Sequence, residues 1–200
     1  MADIEQGLKE IAEIRTLMER SNKFLSLSGL SGVAAGFIGL AGAWAAGVIL
    51  EREDPLVPML VLGAAVLSVA LAASFFLTVR HARRGGQVLW TPASRLLVIA
   101  LSVPLLAGGG FCIVLLLHGV YALLPAAMLV FYGLGLFGAS QFTHPELRYL
   151  GYTQLVLALL AGLVPALGLF CWGLGFGLMH IVYGLIMYFV RERHAATGRS

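Results

Sequence analysis

Charged residues and cysteines are scarce in this chain. Of its 200 residues, 12% are charged and 60% are hydrophobic, and the mean hydropathy is +0.92, which lies outside the range of soluble globular domains. Two cysteines are too few for a disulfide framework. The sequence also lacks a phosphate-binding loop, an HExxH motif and a nucleophile elbow. These absences argue against a soluble fold and against an enzyme.

Long apolar stretches dominate the chain instead. Six of them are long enough to form helices across a hydrocarbon core, which takes roughly 20 residues. They cover residues 24–50, 56–79, 96–117, 121–139, 147–163 and 167–190. The last two share one apolar run, which we divide near Pro165 because proline interrupts helical hydrogen bonding. The sequence therefore predicts an all-α polytopic membrane protein with six transmembrane helices.

Lys and Arg are distributed unevenly over the connections between these stretches. All of them except Arg52 fall in the N-terminal segment, the second and fourth connections and the C-terminal tail. Because basic residues stay on the cytoplasmic side, we expect both termini in the cytoplasm. The second connection, with Arg80, Arg83, Arg84 and Trp90, is expected to contact lipid headgroups. No nucleic-acid-binding motif accompanies the charge, so no nucleic-acid partner is predicted.

The N-terminal segment has a different pattern from the rest of the chain. Apolar residues recur there at helical spacing, which predicts an amphipathic cytoplasmic helix. They are Ile4, Leu8, Ile11, Ile14 and Met18. Such a helix can lie on the membrane surface, or residues 2–22 can contact a protein partner or a second copy of the chain. An excess of acidic residues favours the protein contact. Three regions are thus expected: this helix at 1–23, the bundle at 24–190 and a cytoplasmic tail at 191–200.

Glycines recur on one face of the first and the last predicted spans. The first span carries Gly29, Gly32, Gly36 and Gly39, and the last carries Gly173, Gly177 and Gly184. Small residues let membrane helices approach each other closely. We interpret both faces as helix-packing surfaces, with a surface that slides or binds a ligand as the alternative.

One histidine lies among the glycines of the last span. His180 shares their face near mid-membrane, with Tyr183 at its border, and an ionisable group there is costly enough to mark a functional site. Gln154 lies at similar depth, so we predict a hydrogen bond between Gln154 and His180. A structural histidine, proton or ligand handling by these three residues, and metal or haem binding all stay open. No catalytic residue is predicted, because the span interiors contain no Asp, Glu, Lys or Arg.

The two cysteines are expected near the outer ends of the third and sixth spans. Buried, unpaired packing residues are the simplest interpretation of Cys112 and Cys171. Together with His118 they are the weak candidates for a thiolate–imidazole metal site. Nothing in their spacing demands a metal, and we predict neither a metal nor another cofactor.

Three stretches carry a family resemblance. They read IRTLMERS and KFLSLSGLSG at 14–21 and 23–32, ELRYLG at 146–151, and GFGLMHIVYG at 175–184. Through them the chain resembles a family of small bacterial six-span inner-membrane proteins with no established activity. The resemblance implies the same membrane fold and supplies no catalytic residues. Some members accompany a winged-helix regulator, so the resemblance also implies a role in signalling.

Two functions are compatible with these features. The first is a non-enzymatic sensory or accessory membrane module that is coupled to a partner or a second copy through its N-terminal helix. The alternative is a small transporter or channel for a neutral or weakly polar solute, which would use the midplane residues His180 and Gln154.

Overall fold

The fold is that of a computed structural model, which describes Gln6 and residues 28–86 and 88–192. The predicted N-terminal helix, apart from Gln6, and the tail from residue 193 lie outside these residues. Helices make up almost all of the described part, and it contains no β-strand.

Between residues 28 and 192, apart from residue 87, six helical segments follow one another. They are α1 (Gly29–Leu50), α2 (Leu56–Arg84), α3 (Pro92–Leu117), α4 (Tyr121–Ala139), α5 (Leu147–Leu163) and α6 (Pro165–Val190). All except α5 are long and apolar enough to cross a membrane. The 17 residues of α5 extend about 26 Å, slightly less than a hydrocarbon core of about 30 Å. The all-α fold is confirmed, with five or six helices of membrane-spanning character, and the count of six stays a prediction.

Local sequence explains where several of these helices begin. The Oγ1 atom of Thr91 accepts a hydrogen bond from the Ser94 backbone at 3.1 Å, and the Thr91 backbone donates to Ser94 Oγ at 2.8 Å. This capping box, followed by Pro92, starts α3. Gly119, with a φ of 70°, makes the turn between α3 and α4, a conformation that favours glycine.

Helices α4 and α6 each contact three other helices. Helix α1 lies between α2 and α6, α6 also contacts α4 and α5, and α4 packs against both α3 and α5. Helix α2 lies at one edge, and its large side chains, such as Phe75 and Phe76, are exposed. Exposed apolar helix faces of this size are typical of proteins whose surroundings are lipid.

Two apolar clusters contact α6. The first joins α3, α4 and α5, and its buried residues are Ala93, Leu97, Leu136, Ala139, Leu147 and Leu150. The second joins α4, α5 and α6, and its buried residues are Ala126, Leu129, Leu157, Ala158, Ala161 and Cys171. Met179 packs against both clusters. The two clusters therefore contact successive parts of α6, and both contact Met179.

Candidate functional site

A π-helical turn interrupts α6 at its middle. This turn, Leu174–Leu178, joins the α-helical segments Gly168–Gly173 and Met179–Met187. Such turns alter the backbone hydrogen-bonding pattern and are frequent at functional sites. Here the carbonyl of Gly175 accepts two side-chain hydrogen bonds, from His180 Nδ1 at 2.9 Å and from Gln154 Nε2 at 2.8 Å. One carbonyl thus connects α5 with α6.

The hydrogen bonds of His180 define its tautomer. A carbonyl oxygen only accepts, so the Nδ1 atom that faces Gly175 carries the proton. Nε2 of the neutral ring then accepts a hydrogen bond from the hydroxyl of Tyr132 on α4, at 2.7 Å. Both ring nitrogens have partners, and the side chain is only 6% exposed. The neutral imidazole is therefore fully hydrogen-bonded inside the protein.

The predicted hydrogen bond between Gln154 and His180 is wrong. Both side chains donate to the Gly175 carbonyl instead of to each other. The prediction paired only the two helices of one hairpin. Because α4 packs against α5 and also contacts α6, it contributes Tyr132, which sequence reasoning missed. The sequence does contain a signal for this residue, because a tyrosine is unusual in the otherwise apolar interior of the fourth predicted span.

Aromatic rings hold the imidazole in place. The Tyr132 ring lies 5.4 Å from the His180 ring at an interplanar angle of 25°, and the Phe176 ring lies 6.1 Å from it at 9°. Phe176 in turn packs 4.9 Å from Trp172 and 4.8 Å from Tyr132. Offset contacts of this kind favour one ring orientation. The imidazole is thus oriented by stacking as well as by hydrogen bonds.

Gln154 is fully buried against the π-helical turn. Its Oε1 atom has no hydrogen-bond partner among the described residues. A Cβ at Gly175 would overlap this oxygen and would come within 2.7 Å of Leu129 Cδ2. A side chain at position 175 would thus force Gln154 or Leu129 to shift, and this glycine lies outside the glycine face predicted for the helix.

Tyr183 lies about one turn beyond His180 on α6. Its hydroxyl is buried and forms no hydrogen bond to any residue in the described ranges. Its ring packs against the first apolar cluster, as does that of Tyr132. The site therefore contains Tyr132, Gln154, Gly175 and His180, with Tyr183 one turn further along α6.

The predicted glycine faces of α1 and α6 lie against each other. A Cβ at Gly29 would lie 2.5 Å from the Gly184 oxygen, and one at Gly36 would lie 2.6 Å from the Gly177 oxygen. Gly32 also faces Gly184, Gly39 faces the Phe176 carbonyl, and Gly173 faces Ala43. Backbone contacts this close require glycine. The pairing is antiparallel, so the start of α1 lies beside the end of α6.

The structure does not bring the three weak metal candidates together. Cys171 is buried in the second apolar cluster, Cys112 lies on α3 and is half-buried, and His118 Nδ1 lies 2.9 Å from the Val114 oxygen. Within the described ranges, no group of three or more His, Cys, Asp or Glu side chains could hold a metal ion.

The residues predicted to contact lipid headgroups lie at the end of α2 and in the connection that follows. Arg80, Arg83 and Arg84 are exposed, and Trp90 is 71% exposed. All four side chains are accessible to the surroundings of the protein, as a headgroup contact requires.

Comparisons with known proteins do not assign this chain to a family. No family model matches the chain, and neither a curated protein sequence nor a solved structure matches it. The resemblance to a six-span family stays a prediction, and the function is argued from the site itself.

Proposed function

We propose that the chain is an integral protein of a bacterial cytoplasmic membrane that acts as a non-enzymatic sensory or accessory module. Residues 2–22 couple the bundle to a protein partner or to a second copy of the chain. Six helices cross the bilayer in this proposal, and both termini are cytoplasmic. Five long apolar helices and a shorter sixth, together with the bias of Lys and Arg toward one set of connections, support this arrangement.

The observation that carries the proposal is the contact between the first turn of α1 and the last turns of α6. Gly29, the first residue of α1, packs against backbone atoms of Gly184 and Tyr188. Gly184 is one turn from His180 on the same helix. A force on the N-terminal segment would therefore reach the polar cluster through two closely packed backbones, with few flexible side chains between them.

Native mass spectrometry in mild detergent tests the coupling. We expect the full-length protein to retain a second copy or a bound protein, and a variant that lacks residues 2–20 to lose it. If both forms retain the same partners in the same stoichiometry, residues 2–22 do not mediate the contact and the proposal fails.

A second function is favoured by the unpartnered polar atoms of the site. Gln154 Oε1 and the Tyr183 hydroxyl are both buried and have no hydrogen-bond partner in the described part of the chain. Buried unsatisfied groups cost about 1–3 kcal/mol each, and a polar solute could satisfy them. The alternative is therefore a small transporter or channel for a neutral or weakly polar solute.

Solute flux into proteoliposomes tests this alternative. Glycerol and urea serve as neutral probes, and shrinking and reswelling of the vesicles report their entry. Faster entry than in protein-free vesicles, lost in a folded His180→Ala variant, would support transport through the site. If both probes enter no faster than they enter protein-free vesicles, the transport function has no support. If the flux is unchanged in His180→Ala, His180 takes no part in transport.

A further inference from the structure

The close approaches between helices show which helix ends lie together. Helix α4 runs antiparallel to both α3 and α5, as two separate contacts in each pair show. The contacts are Gly108 with Phe131, Gly138 with Ala100, Gly133 with Gly151 and Gly162 with Ala126. Helix α6 runs parallel to α4, because Leu129 lies beside Gly175 and Tyr132 beside His180, and it is antiparallel to α1. The starts of α1, α3 and α5 thus lie at one end of the bundle, with the ends of α4 and α6.

Helix α2 ends on the same side. The short connection at residues 51–55 joins it to α1, against which it packs with Val66 beside Gly42. Two packed helices joined by so short a connection form an antiparallel hairpin. The last turns of α2 therefore lie at the end of the bundle where α1 starts.

This end of the bundle presents a basic surface. Its arginines lie on α2, α3 and α5, and all of those that the structure describes there are exposed. Between Arg84 and Arg95, the side chains of Val88 and Trp90 are each 71% exposed. Glu146 is the only acidic side chain that the structure describes at this end. We call the following residues the arginine surface: Arg80, Arg83, Arg84, Val88, Trp90, Arg95 and Arg148.

The segment that precedes α1 is complementary to this surface. Acidic side chains outnumber basic ones in residues 2–22, with Asp3, Glu5, Glu10, Glu13 and Glu19 against Lys9, Arg15 and Arg20. Arginine pairs with carboxylates through two parallel hydrogen bonds. The apolar residues of the segment recur at helical spacing, and Val88 and Trp90 supply exposed apolar area for them. Charge and apolar pattern thus both match.

The segment also ends within reach of the arginine surface. Ser28, which precedes α1, is 5% exposed and fixes the place where the segment leaves the bundle. As a helix, residues 2–22 would extend about 32 Å, whereas packed helices lie about 8–10 Å apart, and α2 is a neighbour of α1. A short tether gives an effective concentration in the millimolar range. The surface of the same chain is therefore favoured over that of a second copy.

We propose that residues 2–22 dock on the arginine surface of their own chain and leave it when a partner binds them. Exposed ion pairs are individually weak, so the contact is easily displaced. Docking needs no partner and thus goes beyond the proposed coupling, which it regulates. The segment is available to a protein partner or a second copy only after it leaves the surface.

Distances between spin labels test the docking in the full-length chain. One label is attached at Thr16→Cys in the segment and the other at Gln141→Cys, which is exposed at the same end of the bundle, after Cys112→Ser and Cys171→Ala. Double electron–electron resonance is recorded in an uncharged detergent, so that anionic lipid headgroups do not hold the arginines. Excess unlabelled protein keeps labelled copies apart. We expect one narrow distance distribution.

Charge reversal on either side of the contact should abolish the narrow distribution, and reversal on both sides should restore it. Glu10→Lys with Glu13→Lys should broaden the distribution and raise the mean distance by on the order of 10 Å, about one helix diameter. Arg83→Glu with Arg84→Glu should do the same. All four changes together should return the wild-type distribution, because they exchange the charges of the two sides.

A matched control reverses charges at the other end of the bundle. Glu51→Lys with Glu53→Lys changes two exposed carboxylates in the connection between α1 and α2 and should leave the distribution unchanged. A broad wild-type distribution that neither reversal alters would overturn the docking. Failure of the fourfold variant to recover would also overturn it, because the segment would then not contact these arginines.

The unlabelled protein separates this docking from the proposed coupling. A narrow distribution that disappears when unlabelled protein is added would place the segment on a second copy. That result would overturn docking on the same chain and leave the coupling intact. A narrow distribution that persists supports the docking, whatever partners native mass spectrometry detects.

Discussion

At the scale of single residues, the Gly175 carbonyl organises the site. It accepts hydrogen bonds from Gln154 and His180 and leaves the second ring nitrogen of His180 to Tyr132. The Gln154 amide and Leu129 occupy the space that a side chain at position 175 would need, so they would have to shift. Gly175 thus provides the carbonyl acceptor and, because it has no side chain, leaves space for the Gln154 amide that donates to this carbonyl.

Substitution of Gly175 tests this requirement. Gly175→Ala should lower the free energy of unfolding by about 1–3 kcal/mol, the usual cost of overpacking a filled interior. Gly109→Ala on α3 is the control, because no atom lies within 4 Å of its added Cβ. Denaturant unfolding in detergent measures both. Equal stability of the two variants would show that the space at Gly175 is not restricted.

Removal of the Tyr132 hydroxyl tests the hydrogen bond to the imidazole. Tyr132→Phe should cost about 0.5–1.5 kcal/mol of unfolding free energy, the net contribution of one hydrogen bond. It should also shift the 15N signal of His180 Nε2, which would lose its donor. Tyr149→Phe should change neither quantity, since that side chain is largely exposed. An unchanged Nε2 signal in Tyr132→Phe would contradict the observed 2.7 Å contact.

The residues of the site could be predicted only in part from the sequence. His180 and Gln154 stand out as polar groups at equal depth on two neighbouring spans. Their common acceptor is a backbone carbonyl, which no pattern of side chains indicates. Tyr132 comes from α4, and its proximity to His180 depends on how three helices pack, which periodicity within one helix does not determine.

At the scale of helices, the contact between α1 and α6 depends on glycine at several successive turns. The spacing of the glycines identified both faces from the sequence, because residues three or four apart share a face of a helix. The π-helical turn in α6 was not predicted. A single widened turn leaves the apolar composition unchanged, so it has no counterpart in the hydropathy pattern.

A methyl group added to a glycine of α1 should disrupt the contact with α6 at some positions and not at others. A Cβ at Gly36 would lie 2.6 Å from the Gly177 oxygen and 2.8 Å from the Ile181 nitrogen, and backbone atoms cannot move aside as a flexible side chain can. We expect Gly36→Ala to destabilise the protein by about 1–3 kcal/mol. Gly47→Ala, whose nearest atom is Leu169 Cδ2 at 3.9 Å, should retain or raise stability. Thermal unfolding that does not distinguish the two would contradict close packing of α1 and α6.

At the scale of the whole molecule, the path of the chain through the membrane decides what each end of the bundle can contact. The antiparallel contact between α1 and α6 means that both described chain ends lie at one end of the bundle. The α4–α5 connection and Glu146 belong to the same end if α4 and α5 both cross. In the proposed orientation this is the cytoplasmic end.

Accessibility of introduced cysteines tests the crossings and the orientation. A membrane-impermeant maleimide added to intact bacteria should label Glu53→Cys and Val164→Cys and spare Gln141→Cys until the cells are permeabilised. Gln141 and Val164 flank α5, and both are exposed, so their labelling reports whether this short helix crosses. Labelling of both from the same side would exclude the sixth crossing. The opposite pattern at all three positions would reverse the orientation.

The central claim is that the N-terminal segment is coupled to the polar cluster through α1 and α6. The most direct measurement compares the 15N ring signals of histidine in the full-length protein and in a variant that lacks residues 2–20. We predict that the His180 signals shift, whereas those of His118, at the end of α3, do not. Identical His180 signals in the two proteins, with α1 and α6 still packed, would contradict the coupling.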